Sequence, residues 1–360
     1  MFQYIARRVT LAVPVLVGIL FVTFALARKL PGDPCRAVLG ERATDIICDE
    51  FIRRNGLDQP ILWQFWIYFK QIVIEHDLGV SFRFGRPVSE IIVERLPVTI
   101  ELALAAMIFA TILGILFGVI SAYWHNSTVD VLVMVGANIG VSLPIFVLGL
   151  LLQYVFALVL KDSFLQLPPS GRLTSGVTNP PFFEVWGWDL SPESAGFFFF
   201  SLIANLNFIN ALLTGNWTAL GDAFKHMLLP AIAVGTIPLA IVARITRSSL
   251  LEVLSLDYIR TARAKGLAEM GVVFGHGLSN AMLPVVTILG LQLGSLLSGA
   301  VLTETIFNLA GLGRTLFEAI TARDYIIVQG VTLIVAVGFV VINLIVDISY
   351  AFLDPRIRLS

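Results

Sequence analysis

Uncharged apolar runs long enough to cross a lipid bilayer constrain this chain more than any other feature. A helix rises 1.5 Å per residue, so about 20 apolar residues are needed to cover a hydrocarbon core of roughly 30 Å. Six such stretches lie at about residues 9–27, 100–122, 131–160, 227–243, 281–302 and 326–346. Each is expected to be helical, because lipid offers no partner to open backbone N–H and C=O groups. Composition agrees. Of 360 residues, 57% are hydrophobic and 14% charged, with a mean hydropathy of +0.87, whereas a soluble domain carries about 25% charged residues. The chain is read as an all-α polytopic membrane protein with six transmembrane helices and large loops on one side. Its formal net charge of -1 gives no general attraction to nucleic acid, and no basic cluster is interleaved with aromatics.

Lys and Arg set the orientation. Arg7 and Arg8 precede the first run, Arg244, Arg247, Arg260, Arg263 and Lys265 lie between the fourth and fifth, and Arg356 and Arg358 follow the sixth. With six spans these segments share one side, which the positive-inside rule assigns to the cytoplasm, with both termini there. The connection from 28 to 97 is long and its acids balance its bases, so the rule does not count it. The expected division is then 1–27 for the N-terminus and first span, 28–97 for an outside loop, 98–353 for a five-span core and 354–360 for a cytoplasmic tail. Within the core, 161–225 is a second outside loop and 244–280 a cytoplasmic loop. Arg7, Arg8 and the Ala25–Ala27 triplet give the first run a signal-peptide outline. Its length exceeds the roughly 7–15 residues of a signal's apolar region, so it is read as a retained helix.

Cys35 and Cys48, the only cysteines, both fall in the first outside loop, where an oxidising compartment favours a disulfide. Leu57–Val73 alternates aromatic and polar residues as an interfacial amphipathic helix would, with Trp63 and Trp66 at headgroup depth. Packing against the outer ends of the spans explains that pattern equally well. In the second loop the uncharged run Ala195–Gly215 is long enough to span, but counting it would put Arg244–Lys265 outside. With Asn205, Asn207 and Asn210 diluting it, it is read as interfacial or re-entrant rather than as a seventh span.

Residues 257–278, Asp-Tyr-Ile-Arg-Thr-Ala-Arg-Ala-Lys-Gly-Leu-Ala-Glu-Met-Gly-Val-Val-Phe-Gly-His-Gly-Leu, form a polar island between apolar blocks. Asp257 suits an N-cap, and Gly266 stands where a helix C-terminal glycine would, followed by a second short helix. There Leu267, Met270, Phe274 and Leu278 recur at spacings of three and four, an apolar stripe on a segment assigned to the cytoplasm. Two readings stand side by side. Such a helix can dock in a groove of a soluble partner, or lie on lipid headgroups held by its basic residues.

Few polar residues interrupt the apolar runs. The third run is interrupted at Pro144, with Asn138 and Ser142 nearby, which suits a kinked, cavity-lining helix. The fifth run carries Gln292, Ser295 and Ser298 among Gly290, Gly294 and Gly299, a surface fit either for close helix contact or for a solute. Gly114 and Gly118, and Gly136 and Gly140, have a small-xxx-small spacing that favours packing. No ionised residue is expected at the centre of a span, which argues against a proton-coupled carrier. Nor is there a phosphate-binding G-x-x-x-x-G-K-[ST] loop, an H-E-x-x-H or a paired-cysteine motif, and the four histidines, His76, His125, His226 and His276, are scattered over different loops. The chain is not expected to be an enzyme.

Taken together, "DYIRTARAKGL", the following "HGLSNAMLPVVTILGLQLGSLLSGAVLTETIFNLAGLGRTLFEAITARDYIIVQG", "ARKLPGDP", "DLGVSFRFGRPVSEIIVERLPVTIELALA" and the closing "DPRIR" resemble the permease subunit of ABC importers of the oligopeptide, dipeptide and nickel family. The likeness covers nearly the whole chain apart from residues 170–220, which look like an insertion. It implies a type I importer permease core whose cytoplasmic loop bears the family's EAA motif and seats a coupling helix on an ATPase. The Glu-Ala-Ala positions of that motif correspond to Arg260, Thr261 and Ala262, its glycine to Gly266, and its later Ile-x-Leu-Pro to His276, Leu278 and Ser279. Only Ala262, Gly266 and Leu278 keep the general consensus, while "RTARAKG" is similar to the peptide branch. The resemblance further implies a second homologous permease, two ATP-binding subunits that hold ATP and Mg, and an extracytoplasmic solute-binding protein. The site would be a prokaryotic cytoplasmic membrane, with no cofactor in this chain and peptide as cargo. Nickel or another small solute is the alternative cargo. An ATPase-independent channel or membrane scaffold is the alternative class.

Overall fold

The computed structural model describes residues 2–29, 35–36, 40, 42–54, 56–188, 190, 194–297 and 301–353. Among these there is no β-strand, only one isolated bridge between Val80 and Pro87. Helix α1 spans Phe2–Lys29; α2 (Asp45–Arg54) and α3 (Ile61–Lys70, extended by a π-helical turn Gln71–Glu75) follow in the first loop. Then come α4 (Val88–Tyr123), α5 (Thr128–Ser142) and α6 (Ile145–Gln153, extended as π-helix over Tyr154–Val159). The second large loop holds α7 (Phe182–Val185), α8 (Ala195–Ala204) and α9 (Asn207–Thr214). The remainder comprises α10 (Trp217–Leu254), α11 (Asp257–Ala264), α12 (Ser279–Leu297), α13 (Val301–Ile306), α14 (Leu312–Thr321) and α15 (Tyr325–Leu353).

Five straight helical segments are long and apolar enough to cross a membrane: Ile5–Leu26, Val88–Tyr123, Trp217–Leu254, Gly271–Leu296 and Tyr325–Ser349. The third apolar run is not one of them. It is split into α5 and α6, which meet at 98°, so the kink expected at Pro144 is a full break. Leu143 is extended, and Pro144 (φ -56°, ψ 134°) precedes the first turn of α6, a position where its missing N–H costs nothing. With that bent pair counted as one span the total is six. The run Ala195–Gly215 is likewise no straight span: α8 and α9 meet at 93°, and helices of 10 and 8 residues reach only about 15 and 12 Å.

Hydropathy windows marked the spans too short. Helix α4 begins at Val88 rather than near residue 100, and α10 runs over Trp217–Leu254 rather than 227–243. At 36 and 38 residues they reach about 54 and 57 Å, well beyond the hydrocarbon core. Arg244 and Arg247 therefore lie on the last turns of α10, not in a loop. The fifth span ends at Leu297, and Val301–Ile306 is a separate helix. Glu101, at the edge of the expected span, lies well inside α4. It is buried, with Arg172 Nη2 at 2.7 Å and the Phe208 N–H donating at 2.9 Å, so a loop guanidinium supplies the counter-charge.

The centre of the bundle is the α4–α10 pair. Glycines set its spacing: a Cβ at Gly118 would lie 2.5 Å from Thr246 Cβ and 2.8 Å from the Ala243 carbonyl oxygen, and one at Gly235 would lie 2.9 Å from the Ala106 oxygen. Val98 and Leu102 of α4 pack with Met227, Leu229 and Ala233 of α10 and with Phe307 and Leu309. Further along, Val88, Ile91 and Ile92 pack with Leu312, Ala319, Ile327 and Val331. Buried Glu304 closes this region by accepting from Thr99 Oγ1 and the Arg314 N–H, both at 2.8 Å.

Helix α1 packs on α15, and Arg8 Nη2 lies 3.1 Å from Asp347 Oδ2. The N-terminal end of α1 and the C-terminal end of α15 thus share one end of the bundle. At the opposite end α3 settles on α1 through Phe65 and Tyr68 against Leu20 and Phe24, while Trp63 and Trp66 stay exposed. Both readings of the 57–73 segment meet in one helix, packed on one face and open on the other. Cys35 and Cys48 are bridged, with Cα atoms 5.3 Å apart.

Candidate functional site

The polar island is built at the end of α10. After the Ser255 cap, Leu256 takes an extended conformation (ψ 151°) and occupies the N-cap position of α11 without a side-chain cap. Asp257 is therefore the first helical residue, not the cap, and its carboxylate faces the partial positive charge of the first turn. Ile259 and Ala262 are buried against Val272 and Leu254, whereas Arg260, Thr261 and Arg263 point outward. Gly266 turns the chain with φ +79°, a left-handed conformation that strains any residue with a Cβ. Arg263 and Glu269 face each other across that turn in a two-pronged pair of 2.6 and 3.1 Å. The guanidinium hydrogen bonds hold the Glu269 carboxyl below the usual glutamate range.

The second piece of the island is not a separate helix. Gly271–Leu278 is π-helical and runs directly into α12 as one segment, Gly271–Leu296. The wider π turn displaces the three-and-four register. Leu267, Met270 and Phe274 remain on the surface, Met270 being 61% and Phe274 47% exposed, while Leu278 turns inward against Val119, Leu250 and Ala281. Gly277 permits this close approach, since a Cβ there would sit 2.9 Å from Leu250 Cδ1. With Leu256 and Tyr258 also exposed, the surface has an apolar patch rimmed by Arg260 and the Arg263–Glu269 pair.

The site is anchored about two turns deeper by residues that sequence reasoning passed over. Arg247 of α10 meets Asp130 of α5 through Nε at 2.8 Å and Nη2 at 2.6 Å. The same carboxylate accepts from Ser121 Oγ of α4 and from the Asn126 N–H at 3.0 Å. Three helices are pinned at one carboxylate. The signal lay in an isolated acid three residues after an N-cap serine, and in an Arg read only for topology. Next to it Arg244 Nη2 donates to Asn138 Oδ1 at 2.7 Å, and Asn138 Nδ2 donates to the Met134 carbonyl at 2.7 Å.

A cavity of about 270 Å³ opens farther along α10, lined by Ile145, Val234, Pro238, Gln292, Ser295 and Thr303 among others. Of the residues singled out for a pathway, Gln292 and Ser295 face it. Asn138 is committed to Arg244, Ser142 Oγ bonds the Asn138 carbonyl at 3.1 Å, Pro144 starts α6 next to lining residue Ile145, and Ser298 lies outside the described residues. The glycines of α12 pack instead: a Cβ at Gly294 would meet Phe339 at 2.8 Å, and one at Gly290 would collide with Val346. Ile145, Pro238 and Thr303 carry no polarity pattern that marks them, so only the fold brings them to the cavity. Among the described residues no three His, Cys, Asp or Glu side chains gather as a metal site would need.

Residues 114–359 match the family model for the binding-protein-dependent transport system inner membrane component, and residues 1–103 match that for the N-terminal part of the same membrane component. The chain is 44% identical over 358 residues to the dipeptide transport system permease protein DppB of Alkalihalophilus pseudofirmus, covering 99% of this chain and 100% of the relative. Identity to the Escherichia coli K12 protein of the same description is 43%, with 99% of each chain covered. The glutathione transport system permease protein GsiC of Escherichia coli O6:H1 is 36% identical, again with 99% of each covered. These matches run nearly from end to end of both chains.

Proposed function

Because the chain belongs to the family of binding-protein-dependent transport system inner membrane components, and is thus a permease subunit of an ABC importer, we propose that its cargo is a short peptide. The observation that carries this is end-to-end identity of 43–44% to two dipeptide permeases. Uptake of a labelled dipeptide by cells lacking the gene and by cells complemented with it tests the proposal. Restored uptake that unlabelled dipeptide suppresses and glutathione or nickel does not is the expected result. Suppression by glutathione alone would move the cargo to the second reading, which the 36% identical glutathione permease supports.

The chain works within an ABC transporter complex, and the partners we assign are a second, homologous permease, two ATP-binding subunits holding ATP and Mg, and an extracytoplasmic solute-binding protein. The membrane is the prokaryotic cytoplasmic membrane, with both termini inside. The Arg8–Asp347 pair, which brings the ends of α1 and α15 together, supports a shared side for the termini. The positive-inside count supports the cytoplasmic one.

The surface formed by Arg260, Thr261, Gly266, Leu267, Met270 and Phe274 is the docking face for the ATP-binding subunit, with Ala262 and Leu278 fixing it to the bundle. A push on α11 is passed to α10 through Ile259, Ala262 and Leu254. From Leu254 to Pro238 at the cavity is about 24 Å of continuous helix, braced by the Asp130–Arg247 pair and by the glycine contacts with α4. Alternating access then follows from tilting α10 and α12 about the cavity they share. Gly266→Val and Phe274→Asp are expected to abolish coupled uptake while leaving the protein in the membrane. Full coupled transport in both variants sinks the coupling role. Purification of the chain without ATP-binding subunits would favour a channel or scaffold instead.

A further inference from the structure

At the end of the bundle opposite the polar island, a second cavity of about 300 Å³ is lined by Arg28, Gln64, Tyr68, Gln71, Tyr325 and Gln329, with smaller apolar neighbours. It belongs to none of the transport elements described above. Arg28 stands at the last turn of α1, where the apolar run stops. Its guanidinium carbon lies 3.6 Å from the centre of the Phe24 ring and 4.9 Å from that of Tyr325. Its Nε donates to Gln64 Oε1 at 2.5 Å. Gln64 is itself held in that orientation, because its Nε2 donates to the carbonyls of Leu57 at 3.1 Å and Gln59 at 2.8 Å. Arg28 is thus positioned with care, yet it forms no ion pair among the described residues. A guanidinium stays charged in any protein environment.

Three buried polar atoms on this cavity's lining residues have no hydrogen-bond partner among the described residues: Arg28 Nη1, Tyr68 Oη and Gln329 Nε2. Tyr68 is 8% and Gln329 1% exposed, so bulk water does not serve them. The buried carboxylate of Asp324, next in sequence to the lining residue Tyr325, is already engaged, accepting from Ser81 Oγ at 2.6 Å and the Arg83 N–H at 3.0 Å. A native fold seldom leaves several buried groups unsatisfied at one place. Here all three can donate, one carries a positive charge with no ion-pair partner among the described residues, and they come from three different helices, α1, α3 and α15. Water can satisfy a hydroxyl or an amide, but it cannot neutralise the guanidinium.

We propose that this cavity is a binding site for an oxyanion, a phosphate or carboxylate group seated between Arg28, Tyr68 and Gln329. Position favours the phosphate of a lipid headgroup as its source. The site lies where α1 leaves its apolar run, beside Trp63 and Trp66 of α3, both exposed in the manner of aromatic side chains at headgroup depth. A bound lipid phosphate would fasten α3 and the start of α15 to the end of α1. A free oxyanion has the same chemistry and is separated from lipid by the experiment below. The proposal does not depend on what the transporter carries.

The test uses the complete transporter in mild detergent, washed free of its own lipid. It is titrated with phosphatidylglycerol, with binding read by native mass spectrometry, and separately with inorganic phosphate against chloride at constant ionic strength, with thermal stability as the readout. Wild type is expected to retain one phosphatidylglycerol per chain that Arg28→Gln loses, with affinity falling about tenfold in Tyr68→Phe. Stabilisation by phosphate, lost in both variants, with no variant-sensitive lipid, would support the site and make the ligand a soluble oxyanion. Tyr68→Phe removes one hydroxyl and keeps the ring stacked on Phe24, so it remains informative if Arg28→Gln does not assemble. If lipid and phosphate each act alike on wild type and on every variant that assembles, the proposal is overturned.

Discussion

Replacing Gly118 by alanine and Gly136 by alanine separates two positions that look alike in sequence. Both stand in apolar helices with a small-xxx-small spacing. In the structure a Cβ at Gly118 would lie 2.5 Å from Thr246 Cβ and 2.8 Å from the Ala243 oxygen, whereas a Cβ at Gly136 has nothing within 4 Å. The Gly118 contacts fall short of ordinary van der Waals separation by about 1 Å, and every obstacle is backbone or part of β-branched Thr246, so α4 and α10 must move apart. Overpacking of this kind costs about 1–3 kcal/mol. Both substitutions also gain the helix propensity of alanine over glycine, about 1 kcal/mol. That gain cancels in the comparison, leaving a difference of about 1–3 kcal/mol against Gly118→Ala. The assay is the temperature at which half of the detergent-solubilised complex loses its monodisperse elution, measured for both variants and wild type. Gly118→Ala should lie below wild type or level with it, and Gly136→Ala level or above. Equal temperatures for the two variants, or the reverse order, would refute the claim that glycine contact sets the α4–α10 spacing.

Asp130→Ala should destabilise the complex by about 3 kcal/mol, because it strands Arg247 in a partly buried place. The paired change Asp130→Leu with Arg247→Met should recover most of that loss in the same thermal assay. Changing Cys35 and Cys48 to serine opens a bridge between positions 13 apart in sequence, worth about 3 kcal/mol. Proteolytic cleavage within residues 35–60 should then accelerate by about a hundredfold with transport-core helices unaffected; an unchanged rate would mean the bridge does not hold that loop. Glu269 has its folded pKa lowered by Arg263, so the pair's stabilisation is complete above the ordinary glutamate pKa and is lost as pH falls through the lowered value. Both partners are more than a third exposed, so Glu269→Gln should alter stability only slightly at neutral pH. A large loss there would mean that the pair is buried in the assembled transporter.

How much was legible in the sequence depended on whether a feature was carried by one element or by several. Membrane class, the count of apolar runs, the break near Pro144 and the glycine turn at residue 266 each follow from local chemistry, and each is legible. The lengths of α4 and α10 were not, because a hydropathy window ends where charge begins and a helix does not. Glu101, Arg244 and Arg247 continue their helices because the structure supplies partners: Arg172 for Glu101, Asn138 for Arg244 and Asp130 for Arg247. Those partners lie between 71 and 117 residues away, too far for any periodicity to reveal. The same reason explains the cavity. Gln292 and Ser295 could be singled out by polarity within an apolar run, but Thr303, Pro238 and Ile145 join them only through packing. The apolar stripe of the polar island failed at Leu278 for a different cause: a π-helical segment widens the turn, and a spacing of four no longer keeps residues on one face. A face that begins on the surface at Met270 and ends in the bundle at Leu278 joins a candidate docking surface to the transmembrane helix behind it without an intervening loop. A second short helix that ended before the span would have needed a flexible joint there, and a joint would absorb the motion the site is proposed to transmit.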